Sequence, residues 1–92
     1  MRPLERTIYQ LLQDTLEHEG LASLQPSSPL LDDGLGIDSI DVMNVRVALQ
    51  RRFQVVFTGG AAAIEAQFAS LQTLAASVEA ALQEQGRVAT GD

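Results

Sequence analysis

The chain contains no cysteine, no lysine and no tryptophan, and it has a single histidine, His18. The absence of cysteine excludes disulfide bonds, thiolate zinc sites and a cysteine nucleophile. One histidine cannot form a histidine metal cluster, and a Ser-His-Asp triad would have to rest on it alone. No apolar run approaches the roughly 20 residues that span a membrane. We therefore expect no metal site and no membrane span, and an enzyme is the least favoured class.

Positive charge is also scarce. Six arginines stand against 12 acidic residues, which gives a net charge of −6. Nucleic-acid binding is not expected, because contact with phosphates requires a surplus of positive charge. The acidic balance favours partners with basic docking patches. The N-terminus lacks the apolar stretch of a signal peptide, which predicts a cytoplasmic protein.

The composition that remains is typical of one small globular domain. The chain has 92 residues, of which 46% are hydrophobic and 20% are charged. Aromatic residues make up only 4%, so the core must be built from Leu, Val, Ile and Ala. A chain of this size buries roughly 60–65% of its unfolded surface, which is enough for one modest core.

Apolar residues recur at helical spacing in four segments, which predicts an all-α fold, a small four-helix bundle with a long first loop and a short third helix. Apolar side chains in the long first connection, residues 20–37, predict a loop pinned onto the core. We expect one domain over residues 1–85 and a flexible tail over 86–92. The predicted helices cover residues 4–19, 39–53, 61–68 and 71–85, with Gly20 as the stop of the first, Ser70 as the N-cap of the last and an extended connector at 54–57. His18, near the end of the first helix, is interpreted as a mildly stabilising cation rather than a catalytic group.

The segment Leu35–Asp41 carries the most specific information. Asp38 lies where a helix N-cap belongs, and Asp41 follows three residues later, so both carboxylates can accept hydrogen bonds from free backbone N–H groups. Ser39 would then be the first helical residue, with its hydroxyl at the helix N-terminus. Gly36 allows a tight turn into the helix. Taken alone, the Asp38-Ser39 pair is no more than a good helix start.

With its surroundings, this segment resembles the acyl carrier protein family, which includes the carrier domains of polyketide synthases. The resemblance covers about residues 4–83: a first helix, a long pinned loop, the Leu-Gly-Ile-Asp-Ser-Ile signature at the start of the second helix, and two further helices. It implies that Ser39 carries a 4′-phosphopantetheine arm added from coenzyme A, and that Asp38 assists the phosphopantetheinyl transferase. A cysteine-free protein would thereby obtain its thiol from a cofactor.

The resemblance also implies partners and a docking surface. The partners would be the transferase, an acyl-activating or acyltransferase enzyme, and a ketosynthase or other acyl-processing enzymes, and we expect the chain to be a monomer. Two of the apolar residues concerned, Met43 and Val47, are equally compatible with burial in the core. The residues predicted to bind partners are Ile40, Asp41, Met43, Asn44, Arg46 and Val47.

The second helix departs from that of bacterial fatty-acid carriers, which is markedly acidic. Here Arg46, Arg51 and Arg52 make it net basic beyond Asp41. We therefore expect a discrete carrier of polyketide or specialised fatty-acyl intermediates. Two alternatives stay open: an aminoacyl or aryl carrier of a nonribosomal peptide pathway, which usually has a Gly-Gly-x-Ser pattern, and an unmodified helical adaptor with the same fold.

Overall fold

The computed structural model describes residues 2–16, 19–31 and 35–86. His18 and the predicted tail beyond Gly86 lie outside the described residues. Over the described residues the chain forms four α-helices, and the predicted all-α architecture is confirmed. A short 3-10 helix, Glu19–Ser23, lies in the first connection. The α-helices are α1 (Pro3–Thr15), α2 (Ser39–Phe53), α3 (Ala61–Gln67) and α4 (Leu71–Glu84).

The end of α1 differs from the prediction. The helix stops at Thr15, whereas the apolar pattern had predicted helix to residue 19, and Leu16 is already extended with φ −112° and ψ 137°. Leu16 nevertheless stays buried, so the apolar periodicity continues past the true end of the helix. The Tyr9 hydroxyl donates a 2.7 Å hydrogen bond to the Leu21 carbonyl, which holds the 3-10 helix back against α1.

The starts of α2 and α4 agree with the sequence-based assignment because both are set by local side-chain caps. The Thr73 N–H donates to Ser70 Oγ at 3.2 Å, which satisfies a free N–H group in the first turn of α4. The long connection is tied to the same turn, since the Gln72 N–H donates to the Pro26 carbonyl at 3.0 Å. The loop and α4 are therefore positioned together.

The core lies between α1, α2 and α4, because α1 packs against both of the other long helices and α2 also packs against α4. The short α3 packs on α4. The predicted pinning of the first connection is confirmed, since Leu30 is fully buried with the helix residues. The largest fully buried side chains are Phe68, Ile8, Leu12, Leu30, Leu49, Leu71, Leu74, Val45 and Val78.

The connector between α2 and α3 is held by two glutamine side chains. The Phe57 N–H donates to Gln50 Oε1 at 2.9 Å. Gln85 accepts from the Val56 N–H and donates to the Val56 carbonyl, both at 3.1 Å. Gly59 then adopts φ +106°, and a Cβ there would lie 2.6 Å from the Ala63 Cβ. Glycine is required at that turn by both the backbone angle and the space.

Candidate functional site

Ser39 is the first residue of α2, and its side chain is exposed. The preceding residue, Asp38, is the N-cap, as the sequence predicted. The Asp41 N–H donates to Asp38 Oδ1 at 2.8 Å, and the Asp38 N–H donates a longer bond, 3.4 Å, to Asp41 Oδ2. The two carboxylates satisfy backbone donors at the helix start. They leave the Ser39 hydroxyl at the helix N-terminus, open to solvent.

The backbone that leads into α2 is fixed by burial on both sides of a glycine. Leu35 and Ile37 are buried, whereas Gly36 between them is exposed and adopts φ 75°. The Ile37 N–H donates to the Leu30 carbonyl at 3.2 Å, and the Leu30 N–H donates to Ala69 at 3.4 Å. The position of Ser39 is therefore set by the core through Ile37.

Three apolar residues of α2 face solvent. Ile40 is 69% exposed, Met43 65% and Val47 39%. The spacing of three and four residues places them in one row that starts beside Ser39. Of the two interpretations of Met43 and Val47, the structure agrees with surface exposure. The apolar residues that α2 does bury lie on another face and are Val45, Leu49 and Phe53.

The remaining predicted partner residues divide between two surroundings. Asn44 is exposed close to the apolar row, and Asp41 is half-buried as part of the helix cap. Arg46 is half-buried, with its guanidinium carbon 5.6 Å from the centre of the Phe57 ring. Arg51 in the last turn of α2 is exposed. Of the predicted residues, four are thus exposed, Asp41 belongs to the helix cap and Arg46 is turned toward the connector.

A groove of about 360 Å³ opens between α2 and α3, next to Ser39. Its walls are largely apolar, and both Asp38 and Glu65 lie at its border. The Arg46 side chain also lines it. The groove residues contributed by the loop, α2 and α3 include Leu31, Ile37, Val42, Met43, Ala61 and Ile64.

The sequence pattern did not predict this groove or the packing of Phe57. The run at residues 54–57 indicated only a connector, whereas its last residue packs under Arg46. A usable signal was present, since Phe57 is one of only four aromatic residues, three Phe and one Tyr. Ile64, on the short third helix, packs partly buried against the core.

The described part of the chain lacks two further kinds of feature. There, no group of three or more His, Cys, Asp or Glu side chains is arranged to hold a metal ion. Within the same residues, no helix has the length and apolar character needed to cross a membrane. The features that stand out are the exposed serine, the apolar row and the groove.

The family model described as "phosphopantetheine attachment site" matches residues 6–81, which is most of the chain. Domains of this family are sites of covalent 4′-phosphopantetheine attachment and act as carriers rather than catalysts. They interact with phosphopantetheinyl transferases and with acyl-processing enzymes. No curated protein and no solved structure shows significant similarity to the chain.

Proposed function

The chain belongs to the phosphopantetheine attachment site family, and from this membership we propose that it is an acyl carrier whose arm is attached to Ser39. The observation that carries the proposal is an exposed serine hydroxyl at the first residue of α2. The carrier domain would extend over residues 1–85.

The other described serines are less suited to accept the arm. Ser70 is buried and caps α4, and Ser77 donates a 2.7 Å hydrogen bond to the Leu74 carbonyl. Ser28 is half-buried and accepts from the Gln25 N–H. Ser23 and Ser27 are exposed, but neither begins an α-helix or adjoins the apolar row of α2. Ser39 combines access with a neighbouring surface on which a modifying enzyme can bind.

The chain presents the hydroxyl, and the transferase performs the chemistry. Ser39 Oγ would form a bond to the phosphorus of coenzyme A that bears the pantetheine group. The bond from that phosphorus to the bridging oxygen would break, and 3′,5′-ADP would leave. The hydroxyl proton would pass to a base of the transferase. Asp38 assists by holding the first turn in place and offering a carboxylate beside the reacting oxygen. When bound, the arm supplies the terminal thiol on which an acyl group is held as a thioester.

The electrostatics at Ser39 favour an outward direction for the attached phosphate. The helix dipole and the free N–H groups of the first turn attract a negative group. The nearby carboxylates of Asp38 and Asp41 oppose it, and Asp38 already accepts the hydrogen bond of one N–H group of that turn, that of Asp41. We infer that the phosphate points toward solvent or a partner.

The surface of α2 supports specialised partners. Its exposed apolar row can bury area against an enzyme, and the exposed Arg51 and Arg52 at its C-terminal end favour partners with acidic or mixed docking faces. For this reason we favour polyketide or specialised fatty-acyl cargo. The sequence Gly36-Ile37-Asp38-Ser39 has Ile37 where a Gly-Gly-x-Ser pattern has its second glycine, and this favours acyl over aminoacyl cargo.

Intact-mass measurement tests the proposal directly. We expect incubation with coenzyme A and a broad-specificity phosphopantetheinyl transferase to add one phosphopantetheine to the chain. Ser39→Ala should abolish the addition completely, because the accepting oxygen is removed. The matched control Ser27→Ala, at another exposed serine, should be modified like the wild type.

Two outcomes would overturn the proposal. Absence of addition with several transferases would favour the unmodified adaptor, and addition to Ser39→Ala would place the arm on another residue. The holo form then separates the cargo types. Loading by an acyltransferase but not by an amino-acid-activating enzyme is expected, and the reverse would favour the nonribosomal peptide alternative.

A further inference from the structure

A second depression, the α1 cleft, lies between α1 and the end of α2. Its volume is about 450 Å³, larger than that of the groove between α2 and α3. Five of the lining residues belong to α1 and one to the last turn of α2; they are Arg6, Thr7, Gln10, Leu11, Asp14 and Arg52. None of these belongs to the apolar row of α2 or to the surroundings of Ser39.

The start of α1 lies near the end of α2. The Arg2 side chain forms an ion pair with Glu79 in the second half of α4. Gln85, just after α4, makes hydrogen bonds with both backbone groups of Val56, just after α2. The start of α1 and the end of α2 are therefore at the same end of the bundle. The arginine that α2 contributes to the cleft thus lies near the first turns of α1.

The charges in the α1 cleft are consequently separated. Arg6 and Arg52 lie toward one end, and Asp14 lies eight residues after Arg6, about 12 Å further along the axis of α1. Leu11 lies between them, half-buried against the core, and supplies an apolar surface. The cleft presents, in order, positive charge, an apolar side chain and negative charge.

The positive end of the cleft is notable because positive charge is scarce in this chain. The sequence has six arginines, no lysine and a net charge of −6, yet two helices each contribute an arginine to one cleft. Like charges repel, so the free energy of this arrangement falls when an acidic group binds beside both. The guanidinium of Arg52 is also held in position, 5.2 Å from the centre of the Phe53 ring.

The order of the charges indicates which kind of partner fits the cleft. A nucleic acid or an anionic lipid surface carries one sign of charge throughout, and Asp14 would repel it. A small anion would use only the arginine end and would leave Leu11 uncovered. One face of an amphipathic helix can match all three parts, because its residues i, i+4 and i+8 also span about 12 Å.

We propose that the α1 cleft is a second docking surface, and that its partner is an amphipathic protein helix with an acidic, an apolar and a basic residue at successive four-residue intervals. The acidic residue pairs with the arginine end, the apolar residue covers Leu11, and the basic residue pairs with Asp14. This surface does not depend on attachment of an arm to Ser39.

The position of the cleft leaves the modified serine accessible. Arg52 and Ser39 are 13 residues apart, which is roughly 20 Å along α2. A helix bound in the α1 cleft therefore does not cover Ser39 or the apolar row. One protein can hold the carrier at α1 while an enzyme acts at Ser39, a consequence that rests on the proposed function.

Titration of the isotope-labelled full chain with synthetic peptides, followed by nuclear magnetic resonance, tests the proposal. Three peptides of about 18 residues, long enough to be helical in water, differ only in the charged residues of the docking face. They carry Glu-Leu-Lys, Glu-Leu-Glu or Lys-Leu-Lys at four-residue intervals. We expect the Glu-Leu-Lys peptide to bind most tightly and Lys-Leu-Lys most weakly, with resonance shifts centred on Gln10 and Leu11.

Charge variants of the chain show whether the order of charges matters. Arg6→Glu should weaken binding of the Glu-Leu-Lys peptide about tenfold, because an attractive charge pair becomes repulsive. Asp14→Lys should reverse the preference, so that Glu-Leu-Glu binds more tightly than Glu-Leu-Lys, and a loss of folding cannot produce such a reversal. The matched control is Arg51→Glu, which should bind like the wild type because Arg51 is exposed and does not line the cleft.

Modification of Ser39 is followed by intact mass in the same samples. A saturating concentration of the Glu-Leu-Lys peptide should leave the rate of modification unchanged. If the chain is never modified even without peptide, the proposed function fails, while the peptide titrations still test the α1 cleft.

Several results would overturn the proposal. Equal binding of the three peptides, or shifts centred on Met43 instead of Leu11, would show that the α1 cleft does not select the charge order. Inhibition of Ser39 modification by the peptide would show that the two surfaces are not separate. Displacement of the peptide by inorganic phosphate at constant ionic strength would assign the arginines to a small anion. Self-association of the chain through Leu11 would assign the cleft to a second copy.

Discussion

At the scale of single residues, α2 separates structural from exposed apolar positions. Val45 and Leu49 are fully buried, whereas Ile40 and Met43 lie mostly in solvent only a few positions away. Exposed large apolar side chains grouped in one row mark an interaction surface more strongly than scattered ones. Removing a contact from this row should therefore affect partner binding and leave folding intact.

We expect Met43→Glu to raise the KM for modification by a phosphopantetheinyl transferase about tenfold, as for a contact residue worth roughly 1–2 kcal/mol. The free energy of unfolding should change by less than about 0.5 kcal/mol, because the side chain is exposed. The matched control is Val56→Glu, which places the same charge at a residue 64% exposed outside α2. Equal KM values for the two variants would show that the row is not a docking surface.

At the scale of elements, the cap of α2 contains one residue, Asp38, with an observed structural role and a proposed role toward the transferase. Asp38 accepts the Asp41 N–H at 2.8 Å and stands directly beside Ser39. The first role requires only a side-chain oxygen, while the proposed assistance to the transferase requires a negative charge. Substitutions that remove the charge or the oxygen separately can distinguish the roles.

Asp38→Ala should lower the free energy of unfolding by about 1 kcal/mol, because it removes the N-cap acceptor. Asp38→Asn should unfold at nearly the wild-type denaturant concentration, since asparagine is an equally good N-cap. Both variants should be modified more slowly than the wild type if the carboxylate assists the transferase. Wild-type rates of modification in Asp38→Asn would restrict Asp38 to the structural role.

At the scale of the whole molecule, the long first connection is part of the core. Leu30 is fully buried, and its backbone N–H donates to the Ala69 carbonyl between α3 and α4. The same loop places Ile37 and therefore the start of α2. The loop, the site and the bundle should consequently unfold as one unit.

We expect Leu30→Ala to lower the free energy of unfolding by about 2–5 kcal/mol, the cost of truncating a buried leucine. Leu31→Ala, at the neighbouring half-buried position, should cost roughly 1 kcal/mol because less apolar surface leaves water on folding. Urea unfolding followed by circular dichroism measures both. A separate early unfolding transition for the loop would contradict the view that the loop belongs to the core. Equally small losses of unfolding free energy in the two variants would contradict it as well.

The sequence predicted the site best where the signals are local. The Asp38–Asp41 cap, the Ser70 cap and the bounds of α2 follow from side-chain groups within one helical turn of one another. The predicted end of α1 was wrong because Leu16 is buried in the core in an extended conformation as well as it would be in a helix. The apolar pattern therefore cannot distinguish a helical from an extended Leu16. The groove was missed because its walls come from segments that are distant in the chain.

The sequence alone was enough to predict four helical segments and a serine at a capped helix start in a chain without cysteine. These follow from composition and from spacing within each segment. The exposure of Met43 and the packing of Phe57 under Arg46 beside the groove became visible only in the folded structure. A helix with apolar residues on several sides does not specify which of them it buries. That choice depends on where α1, α3 and α4 lie, and therefore on packing between distant parts of the chain.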